Sequence, residues 1–273
     1  MPAPVRQLNR LDATFARLRA AKRKAFVAYI TAGDPHLRAT EKLALELERS
    51  GVDVLELGIP FSDPLADGVV NQLAAERALR AGTTLRGLLL SVRAMRRRGL
   101  SLPIVFFTYF NPIHRYGAAR FVRDAATAGV DGVLTLDLPV EESAAWRKLM
   151  DRAGLCAISL IAPTTPPTRV RAIARAARGF IYYVSREGVT GERRSLASGL
   201  DRRIALIRRS AGRTPVVIGF GISTPAQVRA SATLADGCVV GSAIVRRIAE
   251  IGNKPTLVPT IGRFVRSLTR PLR

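Results

Sequence analysis

Residues 132–161 read GVLTLDLPVEESAAWRKLMDRAGLCAISLI, and the architecture of the whole chain can be worked out from them. The stretch opens on a short apolar run, Gly132–Thr135, and closes on another, Ala157–Ile161. Between them Ala144–Arg152 places apolar and charged residues at helical spacing. Two short apolar strands joined by an amphipathic helix make a parallel βαβ unit, since strands covered by helices on their outer face are apolar throughout.

The same alternation continues in both directions. Further strand-like runs are Phe26–Thr31, Val54–Leu57, Ile104–Tyr109, Phe180–Val184, Val216–Gly219 and Gly237–Val240. Further amphipathic patterns are Thr40–Arg49, Phe121–Ala128, Val170–Ala177 and Leu200–Arg209. Eight such strands without a linker or low-complexity break predict an α/β fold, a single (β/α)8 barrel occupying residues 1–273 as one domain. The competing open, doubly wound sheet would carry a GxGxxG turn after its first strand, and that turn is missing. Leu8, Leu11, Phe15 and Leu18 recur at helical spacing and predict an extra N-terminal helix, while Pro255 and Pro259 flank the start of a last one.

Composition narrows the function. The 48% hydrophobic fraction among 273 residues can fill a core, which excludes a disordered chain, and no apolar run approaches a membrane span. Cys156 and Cys238 stand alone among apolar neighbours, so a disulfide scaffold or zinc finger is excluded. With no signal-peptide core, a reducing, cytoplasmic setting is expected. The formal charge of +22 rests on 38 arginines and five lysines. They are scattered through almost every helical segment, the densest run being Arg96–Arg98, so a solvated surface is expected rather than a nucleic-acid site. His36 and His114 sit in loops without ligand spacing, and no metal is expected.

In a (β/α)8 barrel the loops after the strands form the active face. Gly219-Phe220-Gly221 and Gly241-Ser242 follow the seventh and eighth strands, the latter just before a helix starting near Ala243. Glycines let a backbone approach an anion and a helix N-terminus offers it free N–H groups, so this is a candidate phosphate grip. Alternatively, Ser242 caps its helix and the glycines merely turn the chain. Glu56 interrupts an apolar strand, and alternation aims it along the barrel interior with Val54. A buried carboxylate tends toward a raised pKa and suits a proton carrier. Asp67, in the turn-rich loop after that strand, should be wetter and ionised, and the two would form an acid/base pair. The alternative makes Glu56 a structural ion-pair partner and Asp67 a turn residue, the reading preferred for Asp63.

The stretch Leu55-Glu-Leu-Gly-Ile-Pro-Phe-Ser-Asp-Pro-Leu-Ala-Asp-Gly68 resembles the long signature of the tryptophan synthase α subunit family. Further matches are Thr31-Ala-Gly-Asp-Pro35, Tyr109-Phe-Asn-Pro-Ile113, Asp137-Leu-Pro139, Ala162-Pro-Thr-Thr165, Ser185-Arg-Glu-Gly-Val-Thr-Gly191, Gly219-Phe-Gly-Ile-Ser223 and Gly241-Ser-Ala-Ile244. The resemblance implies a cytoplasmic lyase that cleaves indole-3-glycerol phosphate to indole and glyceraldehyde 3-phosphate. It implies no cofactor in this chain, and a β-subunit partner that carries pyridoxal phosphate in an α2β2 complex. It makes Glu56 the proton shuttle and Asp67 the acceptor of the indole N–H. Tyr29, Tyr182 and Phe220 would line the substrate, Thr190 and Gly191 would belong to a lid, and Gly221, Gly241 and Ser242 would hold the phosphate. A stand-alone indole-releasing lyase and a non-catalytic phosphate-binding regulatory subunit are the alternatives. The chain departs from the family at Gly68-Val-Val-Asn-Gln72, where Asn71 puts a polar group in place of an apolar substrate contact, and at Glu187 in the lid.

Overall fold

The computed structural model describes residues 9–184, 194–219 and 221–273, with the backbone alone for 194–198. Eight parallel strands close into a barrel in sequence order: β1 (Ala25–Thr31), β2 (Val54–Gly58), β3 (Ile104–Thr108), β4 (Gly132–Thr135), β5 (Cys156–Ile161), β6 (Ile181–Val184), β7 (Val216–Gly219) and β8 (Gly237–Val240). Every strand boundary lies within one residue of the sequence expectation. Ahead of the barrel runs α1 (Arg10–Ala20), the extra N-terminal helix. The connections carry α2 (Leu37–Arg49), α3 (Val69–Arg80), α4 (Leu85–Arg97), α5 (Phe110–Tyr116), α6 (Ala118–Ala128), α7 (Ala144–Arg152), α8 (Pro167–Ala176), α9 (Arg194–Ala211), α10 (Pro225–Leu234), α11 (Ser242–Ile251) and α12 (Leu257–Thr269). The link from β2 to β3 thus holds two helices where the periodicity singled out none.

Burial explains why the strands read as continuous apolar runs. All seven residues of β1 and all five of β2 are buried, one side facing the helices and the other the barrel interior. Alternation along β1 and β2 sends Val27, Tyr29, Val54 and Glu56 inward, and β1 pairs with β2 so that Tyr29 stands opposite Glu56. The lower end of the interior is plugged by α1, which buries Leu11, Phe15 and Leu18, with the Phe15 ring 5.7 Å from that of Phe180. Asn9 caps this helix through its Oδ1, accepting from the Leu11 and Asp12 N–H groups. Its Nδ2 donates to the carbonyls of Asp131 and Gly154, which precede β4 and β5.

Three aspartates rivet neighbouring strands at that same end. Asp53, Asp131 and Asp236 each stand one residue before a strand, and each accepts the N–H of a residue on the preceding strand: Phe26 at 3.0 Å, Ile104 at 2.9 Å and Val216 at 2.9 Å. Asp131 is the most heavily tied, since Arg96 donates to its Oδ2 at 2.8 Å and Arg10 to its Oδ1 at 3.1 Å. Deleting one partner of a buried ion pair leaves the other charge stranded. Asp131→Ala should therefore lower the unfolding free energy by about 3 kcal/mol in urea titration. A loss below about 0.5 kcal/mol, the range of an ordinary surface change, would show that this rivet does not hold the barrel.

Candidate active site

The polar groups of the barrel gather at the opposite rim. A cavity of about 710 Å³ opens there, lined by Tyr29, Glu56, Asp67, Asn71, Tyr182, Gly221, Gly241 and Ser242 among others. Of the ten residues singled out from sequence, these seven besides Asn71 line one cavity; Thr190, Gly191 and Phe220 lie outside the described residues.

Four acidic residues are buried among the described residues: Asp34, Asp53, Glu56 and Asp131. Three of them are satisfied. Asp34 takes a two-pronged grip from Arg77, at 2.9 and 2.7 Å. Asp53 has the Phe26 N–H and Arg23, and Asp131 has its two arginines. Glu56 is the exception, with no exposed surface and no hydrogen-bond partner on either carboxylate oxygen. The ion-pair alternative for Glu56 therefore fails. Burial alone pushes its pKa up to about 8.

Asp67 sits at the rim, half-buried. The Tyr109 hydroxyl donates to its Oδ2 at 2.8 Å and accepts the Ala66 N–H at 2.9 Å, while the Phe61 ring packs 5.5 Å from that of Tyr109. Gln72 donates to the Asp67 carbonyl at 2.8 Å. Partial burial raises the pKa of Asp67, and hydrogen bonds from Tyr109 and Asn71 oppose that rise. Asp67 is wetter than Glu56, as expected, although less freely solvated than its turn-rich sequence suggests. Asp63 is exposed and accepts from Ser62, a turn residue.

Two glycines make room for the aromatic wall. A Cβ at Gly58, the last residue of β2, would collide with the Tyr29 hydroxyl, and one at Gly219, the last of β7, with that of Tyr182. Tyr29 also meets Phe107 edge-on at 5.2 Å. At the start of α11 the N-cap is Gly241 and Ser242 is the first helical residue, one position earlier than expected; no side chain caps this end. Ser242 is therefore not the helix cap, and the first N–H groups of α11 are free for an anion.

Sequence reasoning passed over Tyr109 and Arg246. Tyr109 stood in a quoted motif directly after β3, but its contact with Asp67 joins positions 42 apart. Arg246 lines the cavity one turn into α11, and its signal was lost among the many arginines.

Fold and cavity together place the chain among the (β/α)8-barrel proteins whose site lies at the C-terminal ends of the strands. Residues 15–264 match the family described as tryptophan synthase alpha chain. The tryptophan synthase alpha chain of Geobacter sulfurreducens is 53% identical over 252 residues, covering 90% of this chain and 95% of that protein. That of Geotalea daltonii is 50% identical over 247 residues, covering 90% and 93%. The crystal structure of tryptophan synthase subunit alpha from Legionella pneumophila superposes with a TM-score of 0.86 at 37% identity, covering 97% of this chain and 99% of that one. A chain in the aminoacrylate-bound structure of tryptophan synthase from M. tuberculosis does so at 0.85 and 33%, covering 97% and 100%. The chain belongs to the tryptophan synthase alpha chain family, and with it to the lyases of tryptophan biosynthesis.

The isolation of Glu56 has a measurable consequence for stability. Its pKa is higher folded than unfolded, so the folded barrel binds the proton more tightly and stability falls as pH rises from the ordinary glutamate value of 4.5 through about 8. Glu56→Gln removes that loss. In thermal unfolding the variant's advantage over the wild type should widen between pH 5 and pH 9. A gap that stays constant over that range would mean the carboxyl titrates normally.

Proposed function

We propose that this chain cleaves indole-3-glycerol phosphate by a retro-aldol reaction, as the α subunit of a two-subunit enzyme. The observation that carries the reading is Glu56, a proton-bearing carboxyl without a partner, lining one cavity with Asp67 and a helix N-terminus free to take an anion. With its pKa pushed to about 8, Glu56 holds its proton near neutrality. It delivers that proton to the indole ring carbon bearing the side chain. Positive charge then develops on the ring nitrogen, and Asp67 accepts the N–H and stabilises it. The Glu56 carboxylate next takes the proton of the hydroxyl on the carbon attached to the ring. The carbon–carbon bond breaks, its electron pair restores the aromatic ring, and the hydroxyl carbon leaves as the aldehyde of glyceraldehyde 3-phosphate. Glu56 ends protonated, as it began.

Gly221, Gly241 and Ser242 would hold the phosphate through backbone N–H groups, with Arg246 adding positive charge beside them. Tyr29 and Tyr182 would pack on the indole. Thr190, Gly191 and Phe220 keep the roles given by family resemblance, a lid and a substrate wall.

The rim also carries an apolar stripe. Leu65 is 92% exposed and Val69 69%, with Leu73 a further turn along α3. On the same loop Leu65 projects freely, while Pro60 and Phe61 are half-buried. Such a stripe favours a docked partner over a stand-alone lyase. We assign it to the β subunit, which would carry the pyridoxal phosphate and take up the indole; the pairing expected is α2β2, in the cytoplasm. Contact there reaches the loop that holds Asp67, so docking should order that carboxylate and raise kcat.

Steady-state indole release, titrated with a β subunit of the family, tests the proposal. Slow cleavage alone and at least about tenfold activation are expected, a coupling of about 1.4 kcal/mol. In the activated complex Glu56→Gln should lower turnover at least about 100-fold. Full activity without a response to partner would establish the stand-alone lyase. Phosphate-ligand binding without indole release would establish the regulatory subunit.

A further inference from the structure

Asn71 is a polar residue of the cavity wall that the mechanism above leaves unused. It lies in the first turn of α3, four residues beyond Asp67, and lines the same cavity as Glu56 and Asp67. Its Oδ1 is buried and has no partner. The Asn71 side chain also stands close enough to Asp67 to favour the ionised carboxylate. The chemistry fixes this orientation: an ionised carboxylate only accepts, so the amide turns its NH2 toward Asp67 and its oxygen away. A buried oxygen without a donor is costly, and a ligand that brings one recovers that cost on binding.

The donors of the substrate can be matched to the acceptors of the site. Indole-3-glycerol phosphate offers an indole N–H and two side-chain hydroxyls. Asp67 takes the N–H, and Glu56 takes the proton of the hydroxyl beside the ring. One hydroxyl remains, and among the described residues the Asn71 Oδ1 is the buried cavity acceptor outside Glu56 that is left without a donor. We propose that Asn71 is a positioning and substrate-contacting residue, whose NH2 holds Asp67 and whose Oδ1 accepts from the side-chain hydroxyl that does not react. The proposal rests on the functional reading above. It gives the polar departure at this position a purpose that an apolar side chain of the same size could not serve. Gln72, holding the Asp67 carbonyl at 2.8 Å, makes the first turn of α3 a two-point mount for the end of the loop.

The test compares the substrate with its dideoxy analogue, 3-(indol-3-yl)propyl phosphate, which lacks both hydroxyls. KM for the first and Ki for the second are measured on the full chain with β subunit present, for wild type, Asn71→Leu and Asn71→Asp. Asn71→Leu keeps the volume and removes both polar functions, so KM should rise about tenfold while Ki stays within about twofold. The acid limb of kcat should also move to higher pH, because Asp67 loses a donor that favours its ionised form. Asn71→Asp keeps an acceptor but replaces the donor with a like charge. There the preference for the hydroxylated ligand should survive, and the acid limb should move further up. The other titratable groups facing Asp67 are Glu56, Tyr29, Tyr109 and Tyr182, all shifted upward, and the cavity also carries Arg246, Arg247 and Glu250; the acid limb is assigned to Asp67 by its response to the Asn71 variants. KM and Ki moving together, or an acid limb unmoved in both variants, would overturn the proposal. A wild-type complex that releases no indole would instead bring down the functional reading, and the proposal with it.

Discussion

Closure of the barrel is the constraint from which the other features descend. With eight parallel strands paired edge to edge, the strand backbones satisfy one another and the interior is left apolar. A charge placed inside must then bring its own partner or give up being a charge. The lower end takes the first course. Asp53 and Asp131 receive backbone N–H groups from the neighbouring strand, and arginines from the surrounding elements complete their shells. The upper end takes the second course with Glu56. A carboxyl that ties strands together at one end holds its proton at the other because nothing answers it.

The rim is built to keep that carboxyl isolated and still within reach of a ligand. Glycines end β2 and β7, so tyrosine rings from β1 and β6 can lie across them and wall the cavity with aromatic surface. The loop after β2 then has to return Asp67 to the same space. Tyr109 does this from β3's end, holding both the Asp67 carboxylate and the Ala66 N–H through one hydroxyl. Asp67 is accordingly solvated by fixed donors as well as by water, which lets it remain an acceptor while half-buried. Burial raises the pKa of both carboxyls in the cavity, and only Asp67 has hydrogen-bond donors that oppose the rise.

The strands and the interior position of Glu56 were legible from sequence because both depend on local periodicity. Continuous apolar runs mark strands buried on both faces, and period-two alternation puts Glu56 beside Val54 on the inner side. The free N-terminus of α11 was legible for the same reason, as a glycine before an apolar helical pattern. What escaped depends on contacts between distant segments. The aspartate rivets look like ordinary turn residues before a strand, and their purpose appears only when Phe26 or Ile104 is placed alongside. Asp34 stood in a family-matching stretch, Thr31–Pro35, with no partner in view, but Arg77 from α3 reaches it across 43 positions and makes it structural. Tyr109 was hidden in the same way, as was its packing against the Phe61 ring.

The central claim is that Glu56 carries its proton through neutrality because the barrel leaves it without a partner. The most direct measurement is a pH titration of the glutamate side-chain carboxyls by carbon-13 NMR, with the Glu56 signal assigned by its loss in Glu56→Gln. The account predicts one buried carboxyl titrating with a midpoint of about 8, well separated from the others. A Glu56 signal titrating near the ordinary value of 4.5 would contradict it.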